Sequence, residues 1–115
     1  MAGPAVTSAA RSHGRLAGVP TFTVYVALRA ATAVDDATVD TVAAGLRPGD
    51  EELRVWREPD RAVVRASTEC DADDLDAALE LAHALGGELQ TLCAGDLLEA
   101  AALGDEDSQV WRAWL

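Results

Sequence analysis

Hydrophobic positions in the first half of the chain follow two different periods in succession. Residues 22–28 carry apolar side chains at every second position, which predicts a β-strand with one apolar face. Residues 35–46 instead place Val39, Val42 and Leu46 three or four positions apart, which predicts an amphipathic helix with an acidic first turn. The first two predicted elements are therefore a strand and a helix.

Alternation returns after residue 50 and predicts a β-hairpin over residues 52–68. Residues 53–58 and 62–68 form its two strands, and Pro59-Asp60 supplies the residue types that favour a tight turn. Residues 71–85 then predict the strongest helix, with four aspartates at its start and an apolar stripe. We expect Gly86-Gly87 to end this helix and a short strand to follow.

The predicted order of elements is β-α-β-β-α-β, with residues 88–93 as its last strand. This order predicts an α+β fold over residues 21–94, a ferredoxin-like sandwich with a four-stranded antiparallel sheet and two helices on one face. Residues 1–20 are rich in Ala, Gly and Ser, and we expect a disordered tail there.

Residues 95–115 predict a short C-terminal helical extension. Asp96 and Glu99 form a plausible capping box that opens a helix to Leu103. After an acidic linker over residues 104–107, further helical turns would place Trp111 and Trp114 on one side.

The predicted topology is similar to that of ACT regulatory domains, which bind small molecules, and of dimeric α/β-barrel proteins, which include cofactor-free oxygenases. Neither resemblance extends to a motif, because residues 28–32 stand where ACT domains often have an Asp-Arg-Pro-Gly type turn. Each resemblance therefore implies a fold and leaves the function open.

The charge is strongly acidic and unevenly distributed. Nine basic residues, all Arg, and 20 acidic residues give a net charge of −11. Residues 1–20 contain no acid, so all the excess negative charge lies in residues 21–115. This balance argues against a nucleic-acid or anionic membrane partner. The absence of Lys, Ile and Asn indicates a GC-rich bacterial genome, and without Lys the chain has no Schiff-base or P-loop lysine.

The sequence carries no recognisable catalytic or metal-binding motif, so we expect no catalytic residue, metal or cofactor. Glu80 and His83 form a single Glu-x-x-His, whereas a di-iron carboxylate site needs two. Cys70 is the best candidate thiol, but the neighbouring aspartates disfavour its thiolate. Because Cys70 and Cys93 match no disulfide framework, we expect a cytoplasmic protein.

Two surfaces are candidate binding sites for a partner or ligand. The face of the sheet that the helices leave open should carry Tyr25, Arg54, Trp56 and Arg65, a mixture of aromatic and Arg side chains typical of interfaces. The C-terminal segment carries Trp111 and Trp114. In the plainer interpretations, this segment covers the open face or packs as a helix against its own domain.

Two functions are consistent with these features. The first is a non-enzymatic bacterial protein that acts by protein–protein contact, as a homodimer or as the small subunit or regulator of a complex. The alternative is a small-molecule-binding or cofactor-free enzyme domain of dimeric α/β-barrel or ACT-like type. In that case Tyr25, Trp56 and Arg65 would line a pocket on the open face, and His83 or an Asp would transfer protons.

Overall fold

The computed structural model describes residues 19–58 and 62–113. Its five strands form one antiparallel sheet in the order β2-β3-β1-β4-β5, and two helices complete an α+β fold. In chain order the elements are β1 (Thr21–Ala30), α1 (Asp36–Gly45), β2 (Arg54–Glu58), β3 (Val63–Asp71), α2 (Leu75–Leu92), β4 (Gly95–Leu103) and β5 (Ser108–Arg112).

The central strand β1 organises the core. It pairs with β3 on one side and with β4 on the other, so its backbone is hydrogen-bonded along both edges. Val24, Val26 and Leu28 alternate along it and are fully buried. Side chains two positions apart lie on the same face of a strand, so this row forms one apolar surface.

Both helices contribute side chains to the core that covers this apolar surface. Val42 of α1 and Leu85 and Leu89 of α2 join the same buried cluster as the β1 row. Each helix is capped by an aspartate. The Asp35 carboxylate accepts a 2.8 Å hydrogen bond from the Thr38 backbone N–H, and the Asp74 carboxylate accepts one of 2.8 Å from the Ala77 backbone N–H.

The second helix is longer than the sequence predicts. It continues through Gly86-Gly87 to Leu92, and so the strand predicted over residues 88–93 is wrong. Leu89 extends the buried stripe beyond the glycines, and its burial offsets the cost of about 1 kcal/mol that each glycine adds inside a helix. A Cβ on Gly86 would lie 2.9 Å from Leu97 Cδ1, so this glycine lets the helix approach the sheet closely.

The C-terminal helical extension predicted over residues 95–115 is also wrong. The described part of this region forms the hairpin of β4 and β5, whose turn is closed by a 2.7 Å hydrogen bond from the Gly104 N–H to the Asp107 carbonyl. Ala100 and Ala102 are fully buried on the helix side of the sheet. Pairing with β1 and burial beneath α2 therefore outweigh the helix propensity of this Ala- and Leu-rich segment.

These two differences overturn the predicted four-stranded ferredoxin-like sandwich. The sheet has five strands. The strand that pairs with β1 after α2 is Gly95–Leu103 and not residues 88–93, and an additional strand, β5, forms the edge. The broader prediction of an α+β fold is confirmed. The disordered tail predicted for residues 1–20 lies outside the described residues, except for Val19 and Pro20.

The continuous α2 helix predicts the effect of replacing its second glycine. Gly87 is exposed, and an added Cβ would meet no atom within 4 Å. Gly87→Ala is expected to raise the free energy of unfolding by about 1 kcal/mol, because Ala is strongly preferred to Gly inside a helix. Urea denaturation measures this change.

Gly86→Ala is the matched control. It has the same gain in helix propensity, but its Cβ must displace the Leu97 side chain, so the stabilisation should be smaller. A Gly87→Ala protein less stable than the wild type would contradict a continuous helix at this position.

Candidate interaction surface on the open face of the sheet

The side of the sheet opposite the helices, here called the open face, is defined by the strand register. Residues directly opposite each other in an antiparallel pair lie on the same face. Tyr25 lies opposite Ser67 of β3 and Ala101 of β4, so these three side chains share the open face. Two parallel rows of side chains cross it from β2 to β5: Trp56, Arg65, Ala27, Glu99 and Arg112 in the first row, and Arg54, Ser67, Tyr25, Ala101 and Val110 in the second.

An aromatic and Arg cluster occupies the β2–β3–β1 side of this face. The ring centroids of Tyr25 and Trp56 are 6.1 Å apart with their planes inclined by 35°. The Arg65 guanidinium carbon lies 5.8 Å from the centroid of the Tyr25 ring. These distances lie within the ranges of aromatic pairing and of cation–π attraction, so the three side chains hold one another in place.

Two ion pairs run across the open face between neighbouring strands. Arg65 Nε donates a 2.8 Å hydrogen bond to the Glu58 carboxylate, and the same carboxylate also pairs with Arg65 Nη2. At the other side, Arg112 Nε lies 3.5 Å from a carboxylate oxygen of Glu99. Such partly exposed pairs contribute roughly 0–1 kcal/mol each to stability. Their main effect is to orient the arginines.

Large apolar side chains remain exposed on the open face. Trp56 is 40% exposed, Leu103 44% and Val110 37%. Between them, Ala27 and Ala101 are almost fully buried by their larger neighbours, so they form the floor of the surface. An exposed surface that combines aromatic, aliphatic and Arg side chains is typical of interaction sites.

The open face is nearly balanced in charge although the chain is strongly acidic. Arginine alternates there with carboxylates, whereas the whole chain has a net charge of −11. The charged strand residues on this face, by register, are Arg29, Arg54, Arg65 and Arg112 with Glu58, Glu69, Asp71, Asp96 and Glu99. The excess of negative charge therefore lies elsewhere on the molecule.

The residues predicted for the partner surface are only partly brought together. Tyr25, Arg54, Trp56 and Arg65 share the open face. Within this group, Arg54 Nη1 donates hydrogen bonds of 3.1 and 3.0 Å to backbone carbonyls in the loop before β2.

The C-terminal tryptophans do not form the predicted helical stripe. Trp111 lies on the helix side of the sheet, where its ring stacks edge-on against His83 of α2 at 5.4 Å. Trp114 lies outside the described residues. The described C-terminal residues extend the sheet at its edge instead of covering its open face.

Sequence reasoning missed the β4 and β5 side of the open face. Glu99, Leu103, Val110 and Arg112 lie there, but their segment was predicted to be helical. The signal that could have found them is the Gly104–Asp107 run between two apolar segments, which is typical of a hairpin turn.

Groups with possible chemistry lie away from the open face. Burial raises the pKa of the Cys70 thiol on β3, although the positive charge of Arg47 partly opposes this shift. Burial also raises the pKa of the Cys93 thiol at the end of α2. Among the described residues, no cluster of three or more His, Cys, Asp or Glu side chains could hold a metal ion. No described helix has the length and apolar character needed to cross a membrane.

Comparison with known proteins gives no match from which a function can be proposed, so a proposal depends on the geometry of the open face. No protein-family model, curated protein or solved structure matches the chain.

The raised thiol pKa values predict slow alkylation. At neutral pH both Cys70 and Cys93 should react with iodoacetamide more slowly than a cysteine in an unstructured peptide, because less of each thiol is ionised. The rates should still be rising above pH 9.0, the ordinary thiol pKa. Mass spectrometry of timed samples measures them. The variants Cys70→Ala and Cys93→Ala assign each rate, and a Cys70 as fast as the peptide at neutral pH would contradict the expectation.

Proposed function

We propose that this protein acts by protein–protein contact and that its open face joins two copies of the chain in a homodimer. The observation that carries the proposal is the exposure of Trp56, Leu103 and Val110 on one side of the sheet. Removing such apolar area from water stabilises an association by roughly 25 cal/mol per Å² before the costs of binding are subtracted.

The size of the open face is suitable for a dimer. Five strands spaced at roughly 4.8 Å, with a rise of about 3.3 Å per residue, give a flat area of roughly 600 Å². Side-chain relief increases the accessible area, and a stable interface buries about 800 Å² per partner. A second copy of the sheet therefore covers an area of the right magnitude.

The charge distribution on the open face is compatible with a second copy as the partner. Two chains of net charge −11 repel each other over most of their surfaces. The open face combines the exposed apolar side chains with intermixed arginines and carboxylates, so two such faces can approach without a large like-charge penalty.

The alternative of a small-molecule enzyme is less well supported by the positions of its residues. His83, a candidate for proton transfer, lies on α2 against Trp111, on the other side of the sheet. The candidate substrate-binding residues Tyr25, Trp56 and Arg65 lie on the open face, so they and His83 are on opposite sides of the sheet. The open face is thus better suited to contact with a protein than to catalysis.

The homodimer predicts that truncating Trp56 weakens self-association. Trp56→Ala should raise the dissociation constant at least about tenfold, because buried tryptophans are among the strongest contributors to interfaces. Sedimentation velocity over a dilution series measures the monomer–dimer equilibrium of wild type and variant.

Trp111→Ala is the matched control, because Trp111 is 38% exposed against 40% for Trp56 but lies on the helix side of the sheet. This control should dimerise like the wild type, and far-ultraviolet circular dichroism checks the fold of each variant. A wild-type protein that sediments as a monomer at micromolar concentration would refute the proposal. So would a dimer that Trp56→Ala leaves unchanged.

A further inference from the structure

The two rows of the open face place opposite charges at mirrored positions about the central strand. In the first row, Arg65 lies one strand from β1 on the β3 side, and Glu99 lies one strand from β1 on the β4 side. Trp56 and Arg112 lie at the two ends of this row, each two strands from β1. Ala27 lies at its centre. Positions that mirror each other about β1 therefore carry different side chains, and in the case of Arg65 and Glu99 they carry opposite charges.

Two copies can pack open face to open face, related by a twofold axis that runs parallel to β1 midway between the sheets. This axis places the β3 side of each row over the β4 side of the partner's row. Arg65 then lies over the partner's Glu99, and Trp56 lies over the partner's Arg112. Ala27 and Tyr25 lie over their own copies. Each cross-sheet ion pair and each Arg–Trp contact occurs twice, so the face is complementary to itself in charge.

Packed sheets cross at about 30°, which displaces facing residues along the strands by an amount that grows with their distance from the axis. Near the axis the displacement is small, and at β2 and β5 it amounts to roughly 5 Å along the strand, for strands spaced at about 4.8 Å. The long Arg112 side chain spans such a distance. The contact between Arg65 and the partner's Glu99, one strand from the axis, is displaced by about half as much.

A twofold axis that crosses the strands gives no such complementarity. With the axis on the first row, each residue faces its own copy, so Arg65 opposes Arg65 and Glu99 opposes Glu99. With the axis between the rows, Arg65 faces Ser67 and Glu99 faces Ala101, which carry no charge. The distribution of charge therefore distinguishes the two orientations.

We infer that the partner for the open face is a second copy with β1 parallel to β1, held by two ion pairs between Arg65 of one copy and Glu99 of the other. This inference rests on the proposed homodimer and specifies its orientation. Tyr25 of each copy then lies beside the axis, ring toward ring.

Charge exchange between Arg65 and Glu99 tests the orientation. Arg65→Glu and Glu99→Arg homodimers each contain two like-charge pairs across the sheets, so both should dimerise more weakly than the wild type. Mixed in equal amounts, the two variants form a heterodimer in which both pairs are complementary. Native mass spectrometry should show this heterodimer enriched at least about tenfold over the statistical proportion. Arg65→Glu loses its contact with Glu58, and Glu99→Arg loses its contact with Arg112, in homodimers and heterodimers alike. The enrichment therefore measures only the contact between copies.

A mixture of Glu99→Arg with wild type is the matched control. Its heterodimer keeps one like-charge pair and one native pair, so a statistical distribution is expected. Statistical proportions in the double-variant mixture, with dimers still present, would overturn the orientation and leave the homodimer intact. Enrichment of the heterodimer in the control mixture would do the same, because an axis that crosses the strands on the first row places the introduced arginine of the variant over Glu99 of the wild type. A monomeric wild type would overturn both.

Oxidative photocrosslinking of the wild type provides a second test. Tyr25 is the only tyrosine in the chain, so any dityrosine joins two copies at this residue. Dityrosine fluorescence should be well above that of the Trp56→Ala variant, compared at an equal concentration at which sedimentation shows the variant to be a monomer. A wild-type dimer that forms no more dityrosine than this monomer would contradict the placement of Tyr25 beside the axis.

Discussion

The structure depends on the central position of β1, which is hydrogen-bonded to a strand on each side and covered on one face by α2, while α1 packs against β2 and α2. Val24, Val26 and Leu28 are fully buried there and contact residues of α1, α2, β3 and β4. Because side chains alternate along a strand, burying this row also directs Tyr25 and Ala27 to the opposite face. The same constraint therefore builds the core and creates the open face.

Small residues determine how closely the layers approach. Gly86 of α2 contacts Leu97 of β4, and the buried Ala100 and Ala102 leave room for the helix above them. On the other side of the sheet, Ala27 and Ala101 leave a low floor between larger side chains. Alanine and glycine in the middle of the domain thus allow the helices and the sheet to pack closely.

Contacts within one chain prepare the open face for binding. Glu58 and the Tyr25 ring hold the Arg65 guanidinium, and Glu99 holds Arg112. Side chains that are ordered before association lose less conformational entropy when a partner binds. The modest contribution of these partly exposed ion pairs to folding is therefore compatible with a larger role in recognition.

Local pattern was sufficient to predict the elements from β1 to β3, although β3 extends to Asp71 and α2 begins at Leu75, four residues after the predicted start. Period-two alternation predicted three strands and placed Tyr25, Arg54, Trp56 and Arg65 on one face, because alternation is a property of the strand itself. From residue 86 onward the Ala- and Leu-rich chain is compatible with helix or strand, and the local pattern predicted the wrong elements there. Only the tertiary structure decided this region: the burial of Leu89 extends α2 through two glycines, and the free edge of β1 recruits β4 as a strand. Long-range pairing and burial outweigh propensities of less than about 1 kcal/mol per residue, so half of the open face could not be predicted from the sequence.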